Sequence, residues 1–358
     1  MSAAVAPVLA LASPPLLAPV VPALAALALA VAADLAVGEP PTRLHPVAWF
    51  GSLVGRVDRE WGRPRLVGVA VAAAFPLAAA VALGGLVAVA AEFGPPTAGV
   101  PLVAVVVVAA GVLSVSVSLR MLLDVTREVV AATETDPAAA RESVRALVGR
   151  DPSTLSTAEI RSAAVESAAE NLADGFIAPL WWFAIGTAVG VVGGAFAAPA
   201  GATLSSSLAL SLGVAAAVWV KGVNTLDSML GYRTKPVGGA SARLDDLAMY
   251  LPARASAGCL AVAALAIDGG TPLRVLRRAR SWARAPASPN SGWPMAVGAA
   301  ALDVRLEKPG NYALNPAVDP PTTADAERAV RLVGAAGGVA VAVAAGWLLA
   351  LAGVIAWL

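Results

Sequence analysis

The sequence predicts an all-α membrane protein, a polytopic helical bundle with about six spans, re-entrant segments and cytoplasmic helical loops. Of its 358 residues, 58% are apolar and only 14% are charged, which is too apolar for a water-soluble protein of this length. Charged residues are almost absent from the long Ala/Val/Leu/Gly runs and are concentrated between them. We therefore expect a multi-pass protein of the cell membrane, in contact with the lipid bilayer and without a nucleic-acid partner.

Six apolar runs approach or exceed the length of about 20 residues that crosses a bilayer. They are residues 16–37, 66–91, 100–119, 176–199, 204–220 and 333–357. The first run is preceded by no basic residue, so we expect a retained span and not a cleaved signal peptide. All 25 Lys and Arg residues lie outside the six runs, in the segments after the first, third and fifth. By the positive-inside rule these segments are cytoplasmic and both termini face outward.

Residues 251–267 are also apolar enough to span the membrane. A crossing there would export the arginine cluster that follows it. The cluster comprises Arg274, Arg277, Arg278, Arg280 and Arg284. We therefore expect a re-entrant segment paired with residues 292–302, and the alternative is that both segments cross.

The domain prediction is a single integral membrane domain over residues 1–358. Within it, residues 120–175 form a cytoplasmic helical insertion, and residues 221–331 form a cytoplasmic and re-entrant region that carries several motifs. Asp-Pro pairs beginning at Asp136 and Asp151 predict the starts of two helices in the insertion.

An acid-lined run passes directly into an apolar one over residues 166–182. Glu166, Glu170 and Asp174 are four residues apart, so helical spacing places them on one face with Asn171 beside them. Because like charges at this spacing repel, we expect a cationic partner: a divalent ion, a substrate amine or basic side chains from elsewhere. The alternative is a solvated helix whose acids pair with nearby arginines.

The loop at residues 38–51 contains His45, the only histidine of the chain. A single histidine does not form the usual zinc site, which needs several imidazole or thiolate ligands. It could act as a general base, contact a phosphate, support another residue or be a hydrogen-bonded loop histidine.

Three further polar motifs follow. In residues 221–233, oxygen-bearing side chains lie between cations, an arrangement that suits Mg²⁺ together with phosphate oxygens. In residues 238–246, Arg243 and Asp246 either contact a ligand or form an ion pair on a helix face. Residues 288–294 either line a polar cavity at membrane depth or form an ordinary loop.

Together these motifs resemble the CobD/CbiB family of cobalamin biosynthesis, the membrane-bound adenosylcobinamide-phosphate synthases. The resemblance is carried, in this order, by GEPPTRLHPVAWFG, ESAAENLADGFIAPLWW, KGVNTLDSMLGYR, ARLDD and SPNSGWP. It implies a ligase that uses ATP to join a corrinoid carboxylate, adenosylcobyrate, to aminopropanol or its phosphate, which gives adenosylcobinamide or its phosphate. The chain departs from the family at SWARAPASPN. The family often has an acid and a histidine there, where this chain has Trp282 and Pro286, so catalysis cannot depend on a second histidine.

The residues and the resemblance lead to one hypothesis for a cytoplasmic site. ATP activates the carboxylate, as an acyl phosphate, before the amine attacks. The expected Mg²⁺ ligands are Glu166, Glu170, Asp174 and Asp227. The expected catalytic residues are His45, Glu170, Asp174 and Asp246, with His45 or Asp246 taking the amine proton. The expected substrate and phosphate contacts are Arg43, Asn171, Lys221, Asn224, Arg233, Arg243, Ser288, Asn290 and Ser291.

Two other classes of function are compatible with parts of the sequence. Acid and Asn clusters at helical spacing also bind Mg²⁺-pyrophosphate in membrane prenyltransferases, although two symmetric Asp-rich repeats are absent here. The other class is non-enzymatic, a transporter or an assembly scaffold. Transporters usually place ionisable residues near mid-membrane, whereas the motifs here cluster in the predicted cytoplasmic segments. A complex with other membrane proteins of cobalamin assembly is a further expectation.

Overall fold

The computed structural model describes residues 20–92, 100–145, 153–197, 202–232 and 234–357. Within these ranges the chain is helical apart from short turns and one two-stranded antiparallel hairpin. The prediction of an all-α membrane protein is confirmed. Arg233 and the second Asp-Pro pair lie outside the described residues.

The helices are numbered here in chain order. They are α1 (Val20–Ala36), α2 (Pro46–Gly55), α3 (Pro64–Ala90), α4 (Val100–Ser114), α5 (Leu119–Thr135), α6 (Pro137–Val144), α7 (Thr157–Leu172), α8 (Ala178–Ala197), α9 (Ala202–Leu230), α10 (Gly239–Ala248), α11 (Tyr250–Ala263), α12 (Pro272–Ala279), α13 (Gly292–Leu302) and α14 (Thr323–Trp357). The strands are β1 (Leu306–Lys308) and β2 (Tyr312–Leu314). A π-helical turn, Ala173–Ile177, joins α7 to α8, and 3₁₀ turns occupy Thr42–Leu44, Pro236–Gly238 and Ala264–Ile267.

Among the described residues, six helical stretches are long and apolar enough to cross a membrane. They are Pro64–Ala90, Leu102–Thr135, Thr157–Gly194, Ser206–Leu230, Tyr250–Ile267 and Thr323–Val354. Five of them overlap predicted spans. The remaining stretch, Tyr250–Ile267, is the segment for which re-entry is expected. The described part of the first predicted span is the shorter apolar helix α1. The Tyr250–Ile267 segment packs against α13, the partner expected for it, and re-entry itself stays a prediction.

The described chain divides into two compact units. The first contains α1 to α4, α8, α9 and the end of α14, and the second contains α5 to α7, most of α10, α11 to α13, the hairpin and the start of α14. The single domain over residues 1–358 and the bounds of its two subregions stay predictions.

In the first unit, α9 packs along α3 and α4, and α1 packs along α4. An apolar cluster that includes Val54 of α2, Val71 of α3 and Leu226 of α9 packs these three helices together. Gly68 of α3 lies so close to the turn after α9 that a Cβ there would overlap the carbonyl oxygen of Val237. Small residues at such crossings allow membrane helices and turns to approach closely.

This contact predicts a position-specific effect of alanine within α3. We expect Gly68→Ala to lower the free energy of unfolding by about 1–3 kcal/mol, because the Val237 backbone must move. Gly85→Ala is the matched control, since Gly85 lies in the same helix and no atom lies within 4 Å of the position that a methyl group would take there. Thermal unfolding of the two variants in detergent should therefore separate them, and equal melting temperatures would contradict the contact.

In the second unit, α7 packs against α5, α6, α13 and β1. Its first turn is fixed by a capping box in which Ser156 and Glu159 satisfy each other's backbone amides. The helix start predicted at Asp136 is confirmed, because its Oδ1 accepts from the amides of Ala138 and Ala139 at 3.0 and 3.1 Å. Since α7 is surrounded by several elements, its polar side chains face neighbouring chain segments.

Candidate active site

The structure brings together the three acids predicted to share a helix face. Glu166 and Glu170 belong to α7, and Asp174 lies in the π-helical turn that follows. The charges of Glu166 and Asp174 both act on the Glu170 carboxylate, so the three groups are close in space. Turns of the π type are rare and occur frequently at functional sites.

Glu166 is the most enclosed of the three, with 7% of its surface exposed. The Ser162 hydroxyl donates to its Oε1 at 3.1 Å, and the Tyr312 hydroxyl donates to its Oε2 at 2.9 Å. A buried carboxylate is costly unless it is hydrogen-bonded, and these two donors stabilise it.

The β-hairpin carries Tyr312 to α7. Gly310 takes a φ of 73° in the connection between the strands, a conformation that glycine adopts without strain. The amide of Glu307 donates to the Ser162 hydroxyl oxygen at 2.8 Å. Ser162 therefore links the first strand to Glu166.

Glu170 is half-buried in the middle of the acid group. Its carboxylate is hydrogen-bonded by the Ser291 side chain, and the Lys308 ammonium acts on it with the opposite charge. Asn171, next in sequence, donates to the carbonyl and hydroxyl oxygens of Ser167 at 3.0 and 2.8 Å. Ser291, one of the predicted substrate contacts, is thus joined to the acids.

The Ser-Pro-Asn-Ser segment, residues 288–291, forms a hydrogen-bonded junction between helices. The Ser288 hydroxyl accepts from the amides of Asn290 and Ser291 at 3.2 and 3.4 Å. The side-chain Nδ2 of Asn290 donates to the backbone carbonyl of Asp246 at 2.8 Å, and the side-chain Oδ1 of Asn290 accepts from Arg254 at 2.5 Å. Asn290 is 5% exposed, so these bonds tie α10 and α11 to the start of α13 inside the protein.

Arg254 is held on several sides. Its guanidinium also donates to the carbonyl of Pro289 at 3.0 Å. Its Cζ lies 3.9 Å from the Tyr250 ring centroid and 5.7 Å from that of Trp293. Stacked and bonded in this way, Arg254 has a fixed orientation beside the junction.

Asp246 is the predicted proton acceptor in this unit. Burial raises the pKa of its carboxyl above the ordinary value, which moves it towards the neutral range in which general bases work best. Arg243 is exposed, and no ion pair joins it to Asp246, so the alternative of a helix-face pair is not what the structure shows for these two described residues.

The remaining predicted residues of the first loop lie in the first unit. His45 is buried and caps α2, because its Nδ1 accepts from the amide of Val47 at 3.2 Å. Its Nε2 lies 3.4 Å from the Glu39 carboxylate. The carbonyl of Arg43 accepts from the Trp49 indole at 3.0 Å. The geometry thus gives His45 a capping contact and an acidic neighbour.

Lys221, Asn224 and Asp227 lie on the last turns of α9. The hydroxyls of Thr225 and Ser228 donate to the carbonyls of Lys221 and Asn224, at 2.8 and 2.9 Å. Lys221 and Thr225 line a cavity of about 50 Å³ whose other walls are mainly apolar. These residues therefore form a helical patch and not a phosphate-binding loop.

The acid group supplies some of the carboxylate ligands that a magnesium site needs. In the described part of the chain, no three or more His, Cys, Asp and Glu side chains are arranged to hold a metal ion. Magnesium, however, is commonly held by one or two carboxylates, with water and substrate phosphate completing its shell. Glu170 and Asp174 fit that requirement in their donor chemistry, and the four-ligand site that adds Glu166 and Asp227 stays a prediction.

Sequence reasoning missed Tyr312, Lys308 and Arg254. The Pro-Gly-Asn turn at residues 309–311 is a hairpin signal that could have indicated the strands carrying the first two. Arg254 was recognisable as a charge within an otherwise apolar 18-residue segment, the kind of residue that marks function in membrane helices.

Removing the Tyr312 hydroxyl tests the support of Glu166. We expect Tyr312→Phe to lower the free energy of unfolding by about 1–2 kcal/mol, because a carboxylate loses one of its donors. Tyr232→Phe is the control, since Tyr232 is 51% exposed and lies in the other unit. Denaturation in detergent measures both variants, and equal stabilities would count against the role of this bond.

The helices and the acid-lined site define a multi-pass helical membrane protein that carries a polar, carboxylate-rich site in one of its units. Residues 27–333 match the CobD/Cbib protein family. The chain belongs to this family.

Relatives support the assignment over most of the length. The chain is 32% identical over 322 residues to a probable cobalamin biosynthesis protein CobD of Methanothrix thermoacetophila, covering 87% of this chain and 92% of that one. It is 35% identical over 304 residues to a protein of the same description from Methanothermobacter thermautotrophicus, covering 82% and 87%. It is 35% identical over 332 residues to the cobalamin biosynthesis protein CobD of Rhodobacter capsulatus, covering 86% and 92%. No solved structure matches the chain.

Proposed function

We propose that the protein acts in cobalamin biosynthesis as an ATP-dependent acid-amine ligase, joining adenosylcobyrate to aminopropanol or its phosphate. Membership of the family and the names of the relatives support the pathway. The observation that carries the chemistry is the group of three acids on α7 and the following turn, held by Ser162, Tyr312 and Ser291. Such a group suits a reaction that handles phosphate and a metal ion.

The proposed roles follow from what each side chain contacts. ATP with Mg²⁺, when bound, supplies the phosphoryl group that activates the corrinoid carboxylate. Glu170 and Asp174 would hold the ion, while Glu166, already bonded to two hydroxyl donors, keeps the acid group in place. Lys308 balances part of the negative charge beside Glu170.

Proton transfer and phosphate binding are assigned to the other predicted residues. Asp246, with its raised pKa, or His45 takes the proton that the amine loses as the amide bond forms. The proposed contacts to substrate and phosphate remain those of the sequence hypothesis. They are Arg43, Asn171, Lys221, Asn224, Arg233, Arg243, Ser288, Asn290 and Ser291. A cytoplasmic location of the site and a complex with other membrane proteins of the pathway complete the proposal.

Complementation tests the function. A corrinoid-auxotrophic strain that lacks this amide-forming step should grow on cobyrate when it carries the gene, and the strain without the gene should grow only when cobinamide is supplied. In vitro, the purified protein with ATP, Mg²⁺, adenosylcobyrate and aminopropanol or its phosphate should form adenosylcobinamide or its phosphate, detected by mass spectrometry. Assays with free and phosphorylated aminopropanol identify the amine. Failure of both the growth test and the assay would reject the proposal.

A further inference from the structure

We propose that a cleft beside the arginine-rich segment before α3 binds the headgroup phosphate of an anionic phospholipid. The cleft has a volume of about 480 Å³ and lies in the first unit, where the segment before α3 meets the turn after α9. Its charged lining residues are two cations, Arg59 and Lys235, and two acids, Asp58 and Glu60. Trp61 and Pro64 also line it. None of these residues belongs to the acid group or to the predicted substrate contacts.

The surroundings place the cleft at the level of a membrane surface. Pro64 is the first residue of α3, a 27-residue helix long and apolar enough to cross a bilayer. Two and five residues further along, Leu66 and Val69 are 63% and 58% exposed, as expected of side chains that face lipid tails. Trp61 precedes the helix, and tryptophan is enriched at the boundary between membrane and water.

The charge around the cleft favours an anion. Four exposed arginines lie within ten residues, namely Arg56, Arg59, Arg63 and Arg65. The acids in the same segment are Asp58 and Glu60. Asp58 and the Lys235 ammonium are paired at 2.6 Å and largely neutralise each other. The four arginines therefore outnumber Glu60, the acid that opposes an incoming phosphate, and give the segment a net positive charge. Basic pockets beside membrane helices commonly bind anionic headgroups.

The cationic side chains are held in place before any ligand arrives. The Arg59 Cζ lies 4.1 Å from the Trp61 ring centroid, and the Trp61 indole donates to the Val57 carbonyl at 2.9 Å. Stacking uses the face of a guanidinium and leaves its edge N–H groups for phosphate oxygens. Lys235 also donates to the carbonyl of Met229 at 3.0 Å. A site whose side chains are already fixed loses less conformational entropy when the ligand binds.

The exposed apolar neighbours of the cleft favour a phospholipid as the source of the phosphate. A soluble phosphate would use only the cations, whereas a phospholipid would also cover the exposed Leu66 and Val69 with its acyl chains. The structure offers both kinds of surface side by side, which a lipid can bridge.

Native mass spectrometry of the full-length protein in detergent tests the proposal. Phosphatidylglycerol and phosphatidylcholine with the same acyl chains are titrated separately, and inorganic phosphate is added as a competitor. We expect phosphatidylglycerol to bind about fivefold or more tightly than phosphatidylcholine, with little displacement by phosphate. Arg59→Gln should weaken phosphatidylglycerol binding by about fivefold, and Glu60→Gln should strengthen it by a similar factor.

Matched charge changes in the other unit serve as controls. Arg145→Gln and Glu142→Gln alter an exposed ion pair at the end of α6 and should leave lipid binding unchanged. Equal binding of the two lipids, or an Arg59→Gln effect no larger than that of Arg145→Gln, would overturn the proposal. Complete displacement by inorganic phosphate would also overturn it, because the cleft would then be a site for soluble phosphate.

Discussion

Replacement of Glu170 by glutamine should lower kcat by about 10²–10³-fold while the protein still inserts and folds. The charges of Glu166 and Asp174 act on this carboxylate. The Ser291 side chain hydrogen-bonds to it, and Lys308 supplies a positive charge. Glutamine keeps the size of the side chain and removes the negative charge that a magnesium ion needs. Because the neutral side chain also relieves repulsion among the acids, we expect the melting temperature to stay the same or rise.

This combination of lost turnover and retained stability separates a functional carboxylate from a structural one. Glu142→Gln is the matched control, since Glu142 is an exposed glutamate of the same unit with a single surface ion pair. Product formation, measured by mass spectrometry over a range of Mg²⁺ concentrations, gives kcat and the metal dependence for each variant. Full turnover by Glu170→Gln would remove this residue from the proposed mechanism.

The acid group illustrates what a sequence reveals about a site. Glu166, Glu170 and Asp174 are related by helical periodicity, which acts over a few residues, so their shared face could be predicted directly. The π-helical form of the turn at Asp174 could not, because it depends on contacts such as the bond from the Ser118 amide to the Gly175 carbonyl at 3.0 Å. Local pattern thus predicts which side chains share a face, and tertiary contacts decide the path of the backbone.

Residues from distant parts of the chain show the opposite case. Tyr312 lies 146 positions from Glu166, and nothing in the spacing of either residue indicates their bond. Arg254 stands alone in an apolar segment, and its partner Asn290 is 36 positions away. The sequence allows residues 288–294 either to line a polar cavity or to form an ordinary loop. Their role as a junction between three helices depends on how those helices pack.

That junction leads to the second large effect, since Asn290→Ala should reduce both stability and activity. The variant leaves the Asp246 carbonyl without its side-chain donor and removes one partner of Arg254, inside a region where Asn290 is 5% exposed. We expect the free energy of unfolding to fall by about 2–3 kcal/mol, because buried polar groups lose their partners. We expect kcat to fall by about tenfold or more, since Ser291, the next residue, would no longer hold Glu170 in the same position.

Two further variants distinguish positioning from general damage. Asn311→Ala removes an exposed asparagine of the same unit, whose amide donates to the Pro309 carbonyl, and should leave both quantities unchanged. Asn290→Asp keeps an acceptor for Arg254 but loses the donor to the Asp246 carbonyl. We therefore expect it to be more stable than Asn290→Ala but less stable than the unchanged protein, with a kcat that stays low. Because the junction acts through Ser291, the loss should fall on kcat more than on the KM for ATP. Normal kcat in Asn290→Ala, or a loss confined to stability, would show that the junction holds the helices together without positioning the acids.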